Sequence, residues 1–276
     1  MNLITSKDNE IIKNIRKLKE KKYREEQKLY VVEGIKLVKE AIQENADIDT
    51  IIISVGADAY TRHIDAVKGR ALTASKSVHL DIENINNYNC IYVTENVFKY
   101  VSNVENPQGL MALIKISEED TIDYNEDLIL VLDGIQDPGN LGTIIRTADS
   151  VGLKQIIVSR DTVDSFNPKV VRSTMGAVYR VKIIRSDNLL VTLKMIKENG
   201  FKVYATDLKT DNNIYNIELN KTAIIIGNEA NGVSKEIIET VENKVKIPML
   251  GKTESLNASV ATGVILYEYL RKKLNS

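Results

Sequence analysis

Cysteine occurs once, at Cys90, which excludes an intrachain disulfide and fits a reducing compartment such as the cytoplasm. Histidine occurs twice, at His63 and His79, both far from the informative turns and without ligand spacing. A metal site and a Cys/His or Ser/His nucleophile system are therefore not expected. No apolar run approaches the roughly twenty residues that span a bilayer. The opening MNLITSKDNE also lacks the apolar stretch of a signal peptide. Charge of one sign is missing as well: 37 basic against 38 acidic residues leave a net charge of −1. The whole molecule has no field to draw in polyanions, so any nucleic-acid contact must be local.

What is present is ordinary for a soluble globular chain, 43% apolar and 27% charged. At 276 residues, it has room for two domains with separate cores. The most informative stretch is 127–152, DLILVLDGIQDPGNLGTIIRTADSVG. Its run 128–132 is apolar without alternation, which predicts a strand buried on both faces, as in a parallel sheet covered by helices. Residues 133–139 hold two Gly and one Pro and must turn. Asn140 stands where a helix N-cap belongs, and Ile144, Ile145, Ala148 and Val151 give the next helix an apolar face. Arg146 falls between those positions. In an α/β fold, such a cap and arginine at a strand's carboxyl end either serve a ligand or merely cap and solvate.

Before that stretch, Ser6 is expected to cap a helix running to about Gln27, with an apolar stripe of Ile11, Ile12, Ile15 and Leu18. Seven basic residues between Lys13 and Arg24 face one acid, Glu20, and can pair with phosphates or form a solvated face. Strands are expected at 29–32, 50–54, 90–93 and 108–116, and helices at 35–43, 58–68 and 95–102, while 71–89 is weakly patterned. That alternation predicts a small α/β domain over 1–116. The acidic piece 117–126, SEEDTIDYNE, reads as a linker to a second domain, 127–276.

The second domain continues with strands at 155–159, 178–184, 201–205, 222–226 and 244–249. Helices are expected at 168–175, 188–199, from about Ser234, and from about Leu256 to Leu274. The last is apolar around nearly its whole axis, which implies burial between elements or against a second subunit. Three polar turns follow three apolar strands: 137–140, 227–229 and 251–257. Strand carboxyl ends share one edge of a parallel sheet, so these turns can converge. Phosphate-loop readings fail, because Asn140 and Leu141 occupy the Lys and Ser/Thr places of a Walker motif and no G-x-G-x-x-G occurs in these turns.

NLGTIIRTADSVG (140–152), IIIGNEANGVS (224–234) and IPMLGKTESLNASVATG (247–263) resemble the three ordered motifs of the SpoU/TrmH class of RNA ribose 2′-O-methyltransferases. The N-terminal part is similar to that family's small substrate-binding domain, with Tyr30-Val-Val-Glu33-Gly34 and Asn106-Pro-Gln-Gly109 at its ends. The resemblance implies an α/β fold whose C-terminal domain is a parallel sheet with a trefoil knot, joined to a smaller ribosomal-protein-like α/β domain. It implies S-adenosylmethionine as methyl donor, structured RNA as substrate, ribosomal ahead of transfer RNA, and a homodimer.

By the same resemblance, Asn140, Arg146, Glu229, Ser255 and Asn257 form the catalytic and substrate-positioning set. Gly227, Ile247 and Leu256, with Thr206, form the cofactor contacts. Ala258 replaces the Val often found after the family's Asn. Arg146 is cast as base in the family, yet a guanidinium is a poor proton acceptor. A clamp on phosphate and developing oxyanion suits it better, with Glu229 either orienting Arg146 or taking the proton itself. A transfer-RNA methylase and a non-catalytic RNA-binding or assembly factor are the alternatives.

Overall fold

The computed structural model describes residues 3–55, 85–117 and 121–275. The helix expected at 58–68 lies outside them, as does most of 71–89. The chain divides into two compact units, Met1–Ser117 with Phe166–Pro168, and Glu118–Ser165 with Lys169–Ser276.

In the first unit the chain runs β1 (Leu3–Ile4), α1 (Glu10–Lys17), α2 (Lys21–Gln27), β2 (Leu29–Glu33), α3 (Ile35–Gln43) and β3 (Ile48–Val55). After the gap come β4 (Cys90–Thr94), α4 (Glu95–Val101) and β5 (Leu110–Lys115). Among the described residues the sheet order is β1-β4-β3-β5-β2. β1 and β3 run parallel to β4, whereas β5 is antiparallel to β2 and β3. Ile12, Ile15 and Leu18 pack with Val97, Phe98 and Val101 over this sheet.

The single N-terminal helix expected from Ser6 to Gln27 is two helices. Ser6 Oγ is spent on the N–H of Asp8, and Asn9 Oδ1 caps α1 through Ile11 N at 2.9 Å. The break holds because Leu18 is buried and its carbonyl accepts Arg24 Nη1. The basic run is largely spent inside the unit. Arg16 stacks 3.8 Å above the Tyr100 ring, Lys19 donates to Ser102 O at 2.6 Å, and Lys21 and Lys22 face Glu25 and Glu26.

The second unit contains β6 (Leu128–Asp133), α5 (Pro138–Ser150), β7 (Gln155–Ser159), α6 (Pro168–Ser173), β8 (Lys182–Ser186) and α7 (Leu189–Glu198). It continues with β9 (Lys202–Thr206), β10 (Thr222–Gly227), α8 (Lys235–Thr240), β11 (Asn243–Val245) and α9 (Ala258–Leu274). Among the described residues these strands form one sheet, ordered β11-β9-β10-β6-β7-β8 with every pairing parallel. Strand β6 is central and covered on both faces. Leu128, Leu130 and Leu132 join the core beneath α5 and α9, while Ile129 and Val131 join the core beneath α7 and α8.

Two strand boundaries expected in this unit need correction. The strand expected at 178–184 starts only at Lys182, because Ala177–Tyr179 forms a 3-10 turn after Gly176, whose φ of +94° turns the chain. The strand expected at 244–249 ends at Val245, since Lys246 bonds instead to Asn212 O and Ile214 N on a neighbouring loop. The expected linker 117–126 is tied down where it is described: Gln155 exchanges two hydrogen bonds with the backbone of Asp123, at 2.9 and 2.6 Å, and Ile122 and Tyr124 pack on the core. Among the described residues, no helix is long and apolar enough to cross a membrane.

Candidate active site

Asn140 does not cap the helix. Asp137 does, accepting the N–H of Asn140 at 2.8 Å, with Pro138 at the first helical position where its missing N–H costs nothing. This shift releases the Asn140 side chain. Its Nδ2 donates to Glu229 Oε1 at 2.9 Å, and its Oδ1 accepts Asn257 Nδ2 at 3.0 Å. Asn257 in turn caps α9, its Oδ1 accepting Ser259 N at 2.9 Å and Val260 N at 3.3 Å. The carboxyl ends of β6 and β10 and the start of α9 are thereby joined through side chains.

Glu229 also receives the backbone N–H of Gln136 at 3.2 Å and of Asp137 at 3.3 Å. Burial pushes its carboxyl up, but hydrogen bonding from Asn140, from its own backbone and from the Gln136 and Asp137 backbone together outweighs burial and holds it below the usual carboxylate range. The turn that presents it is built tightly. Asn228 Nδ2 donates to Gly134 O at 2.7 Å, its Oδ1 accepts Ala230 N and Asn231 N, and Asp133 accepts Ser234 N at 2.7 Å. A Cβ on Gly227 would lie 2.0 Å from Gly232 C and Val233 N, so only glycine lets the two arms of the turn close.

A cleft of about 540 Å³ opens beside this turn, lined by Thr206, Ile226, Glu229, Ile247, Ser255 and Leu256 among others. Its size falls in the range of small-molecule sites. Of the four expected cofactor contacts, Thr206, Ile247 and Leu256 line it. Gly227 instead holds the turn behind it. The Thr206 hydroxyl donates to Ile225 O at 2.9 Å, leaving its oxygen as an acceptor. Ser255 is exposed on the cleft wall.

Arg146 stands apart from that meeting. Six residues beyond Asn140, it sits about 120° around α5 and about 9 Å along it, exposed beside Thr143 and Ser150. Among the described residues, it has no hydrogen bond or ion pair to Asn140, Glu229 or Asn257. The adjacent face of α9 is only partly covered by its own chain: Ile265 and Leu266 are inside, while Val260 is 52% and Tyr267 54% exposed. Tyr267 Oη lies 3.4 Å from Ser150 Oγ, so this apolar stripe adjoins the helix that carries Arg146.

Sequence reasoning missed Gln136, Asp137, Asn228 and Asp133. The Asp-Pro pair at 137–138 is itself a helix-start signal and points to the true cap. The other three act through backbone bonds that no spacing reveals. No group of acidic, His or Cys side chains suited to a metal ion occurs among the described residues.

Residues 127–267 match the SpoU rRNA Methylase family, and residues 9–112 match the MRM3-like substrate binding domain. The 23S rRNA (guanosine(2553)-2'-O)-methyltransferase RlmP of Bacillus subtilis is 31% identical over 97% of this chain and 98% of its own. The 23S rRNA (guanosine-2'-O-)-methyltransferase RlmB of Vibrio parahaemolyticus is 37% identical over 61% of this chain and 72% of its own. The AdoMet-bound rRNA methyltransferase from Sinorhizobium meliloti superposes with a TM-score of 0.80 at 30% identity, covering 100% of this chain and 99% of that one. By these matches the chain belongs to the SpoU rRNA methylase family, whose fold is the trefoil knot.

Proposed function

We propose that this protein is an enzyme transferring a methyl group from S-adenosylmethionine to a ribose 2′-hydroxyl of ribosomal RNA, of the 23S type. The observation that carries the reading is Glu229, which lines the cleft and at the same time holds Asn140, itself bonded to Asn257. A pocket for a small donor thus has Glu229 in its wall, and hydrogen bonds tie Glu229 to Asn140 and, through it, to Asn257.

Bound S-adenosylmethionine supplies a methyl group activated by a sulfonium, so the protein has to add position and charge stabilisation. Thr206, Ile247 and Leu256 form walls for the donor, Ser255 offers it a hydroxyl, and Gly227 keeps the turn beside it closed. Glu229 is a weak proton acceptor, because its carboxyl lies below the ordinary range and already receives three N–H donors. Its part is to hold the Gln136–Asp137 backbone and Asn140 in place. Arg146 supplies a guanidinium fork for the target phosphate and for charge developing on the ribose oxygen.

The reading includes a homodimer. A second copy covering Val260 and Tyr267 would bury an apolar stripe now open to water and would sit against the face that carries Arg146. A cytoplasmic site of action follows from the ribosomal substrate.

Incubation with methyl-labelled donor and separate pools of unmodified ribosomal and transfer RNA, followed by mapping of the labelled ribose, tests the proposal. Label on a 2′-oxygen of 23S rRNA is expected. Label on transfer RNA alone selects the sister activity, and donor binding without transfer to either pool overturns the enzymatic reading.

A further inference from the structure

The donor cleft lies over one half of the sheet. Its lining comes from β9, β10 and β11 and the segment after β11: Thr206, Ile226, Val245, Ile247 and Leu256. The joined side chains of Asn140, Glu229 and Asn257 stand at the boundary between β10 and β6. With the donor on that side, the ribose has to arrive over the other half, where β6, β7 and β8 end. Two arginines stand there, both exposed: Arg160 immediately follows β7, and Arg185 lies near the end of β8.

Their placement is coupled to the site. Gln136, whose N–H binds Glu229, donates through Nε2 to Asp161 O, next to Arg160. Arg185 Nη2 donates to Arg160 O at 3.4 Å, and Val158 pairs with Arg185 across the parallel ladder. From β6 to β8 is two strand spacings, about 10 Å. Asp161 and Asp187 follow the two arginines and cancel any broad positive field. An exposed guanidinium offers fork-shaped contact at short range, as a phosphate takes it.

We propose that Arg160 and Arg185 bind backbone phosphates flanking the target ribose, forming the RNA track along the carboxyl ends of β7 and β8. This rests on the methyl-transfer reading above. The track positions substrate and carries no base sequence, so its loss weakens binding uniformly across RNA sequences.

The test uses the full chain and transcribed 23S rRNA, with R160A, R185A, the double variant, the lysine counterparts and K194A as an exposed charge-loss control on α7. Each alanine is expected to raise KM for RNA about tenfold or more, the scale of a lost charged hydrogen bond, with kcat at saturating RNA and calorimetric donor affinity unchanged. The slope of log K against log salt should fall by about 1.4 in the double variant, two contacts at about 0.7 each. Lysine should restore the slope and part of the affinity, and K194A should change nothing. Unchanged KM and salt slope in the double variant overturn the track while leaving methyl transfer intact. Failure of the parent protein to methylate any RNA overturns the functional reading instead, and filter-binding slopes then still decide whether these arginines touch RNA.

Discussion

The amide of Asn140 donates to the carboxylate of Glu229 at 2.9 Å across 89 positions of sequence. That bond joins the carboxyl ends of two neighbouring parallel strands and, through Asn257, the start of the last helix. Its removal should affect catalysis more than stability. Asn140→Ala is expected to lower the single-turnover methylation rate about 10²-fold or more, the scale for loss of a preorganised polar contact. Stability should drop by only about 1 kcal/mol per bond lost, read by thermal denaturation beside the rate.

Glu229→Gln separates positioning from proton transfer. The folded carboxyl lies below its unfolded value, so its contribution to stability is complete above about pH 4.3 and is lost as pH falls through the folded value. Above that window Glu229 stays ionised, and wild-type kcat should show no limb belonging to it between pH 5 and 8. Should such a limb exist and vanish in Glu229→Gln, Glu229 is the base and the positioning role is wrong. Acid unfolding of the variant should be less steep below pH 4.3.

Arg146→Lys and Arg146→Ala, compared across pH, address the clamp. A bidentate guanidinium is not replaced by an ammonium. Both variants should therefore lose about 10²-fold or more in kcat/KM, the scale for removing a transition-state donor, and keep the wild-type pH midpoint. Recovery with lysine at a shifted midpoint would assign proton transfer to this position.

Gly227→Ala puts a methyl group 2.0 Å from two backbone atoms of the Gly232–Val233 peptide. Neither atom is the tip of a flexible side chain, so the turn has to move. A stability loss of about 1–3 kcal/mol, the range for overpacking, is expected, together with loss of donor affinity by calorimetry. A neutral variant with full affinity would show that the turn yields freely.

Val260→Arg and Tyr267→Asp charge the exposed stripe of α9, where the single chain has room for both. Monomer stability should stay within about 0.5 kcal/mol, as for other exposed substitutions. Sedimentation velocity should show dissociation to monomers, with methylation lost alongside. A monomeric wild type would remove the dimer from the proposal.

Much of the fold is legible in the sequence, because burial leaves periodic marks. The unbroken apolar run 128–132 identifies a strand covered on both sides, and helix α3 occupies the expected 35–43. Where local signals compete, the reading slips. The valine-rich piece at 178–184 suits a buried turn as well as a strand, and the polar run before Gln27 hides a helix break held by Arg24 and the Leu18 carbonyl. The apolar residues around the last helix do not say which sides its own chain covers, Ile265 and Leu266, and which it leaves open, Val260 and Tyr267.

By itself the sequence determined the alternation of strand and helix, and it singled out the polar turns at 137–140, 227–229 and 251–257 as able to converge on one sheet edge. Those properties are local, written by which residues avoid water and which bend the chain. Only the tertiary structure decided that Asp137 caps α5 while Asn140 turns outward. An aspartate and an asparagine three residues apart have comparable claims on a free backbone N–H, and the tie is broken by Glu229, a partner that reaches Asn140 only once β6 and β10 lie side by side.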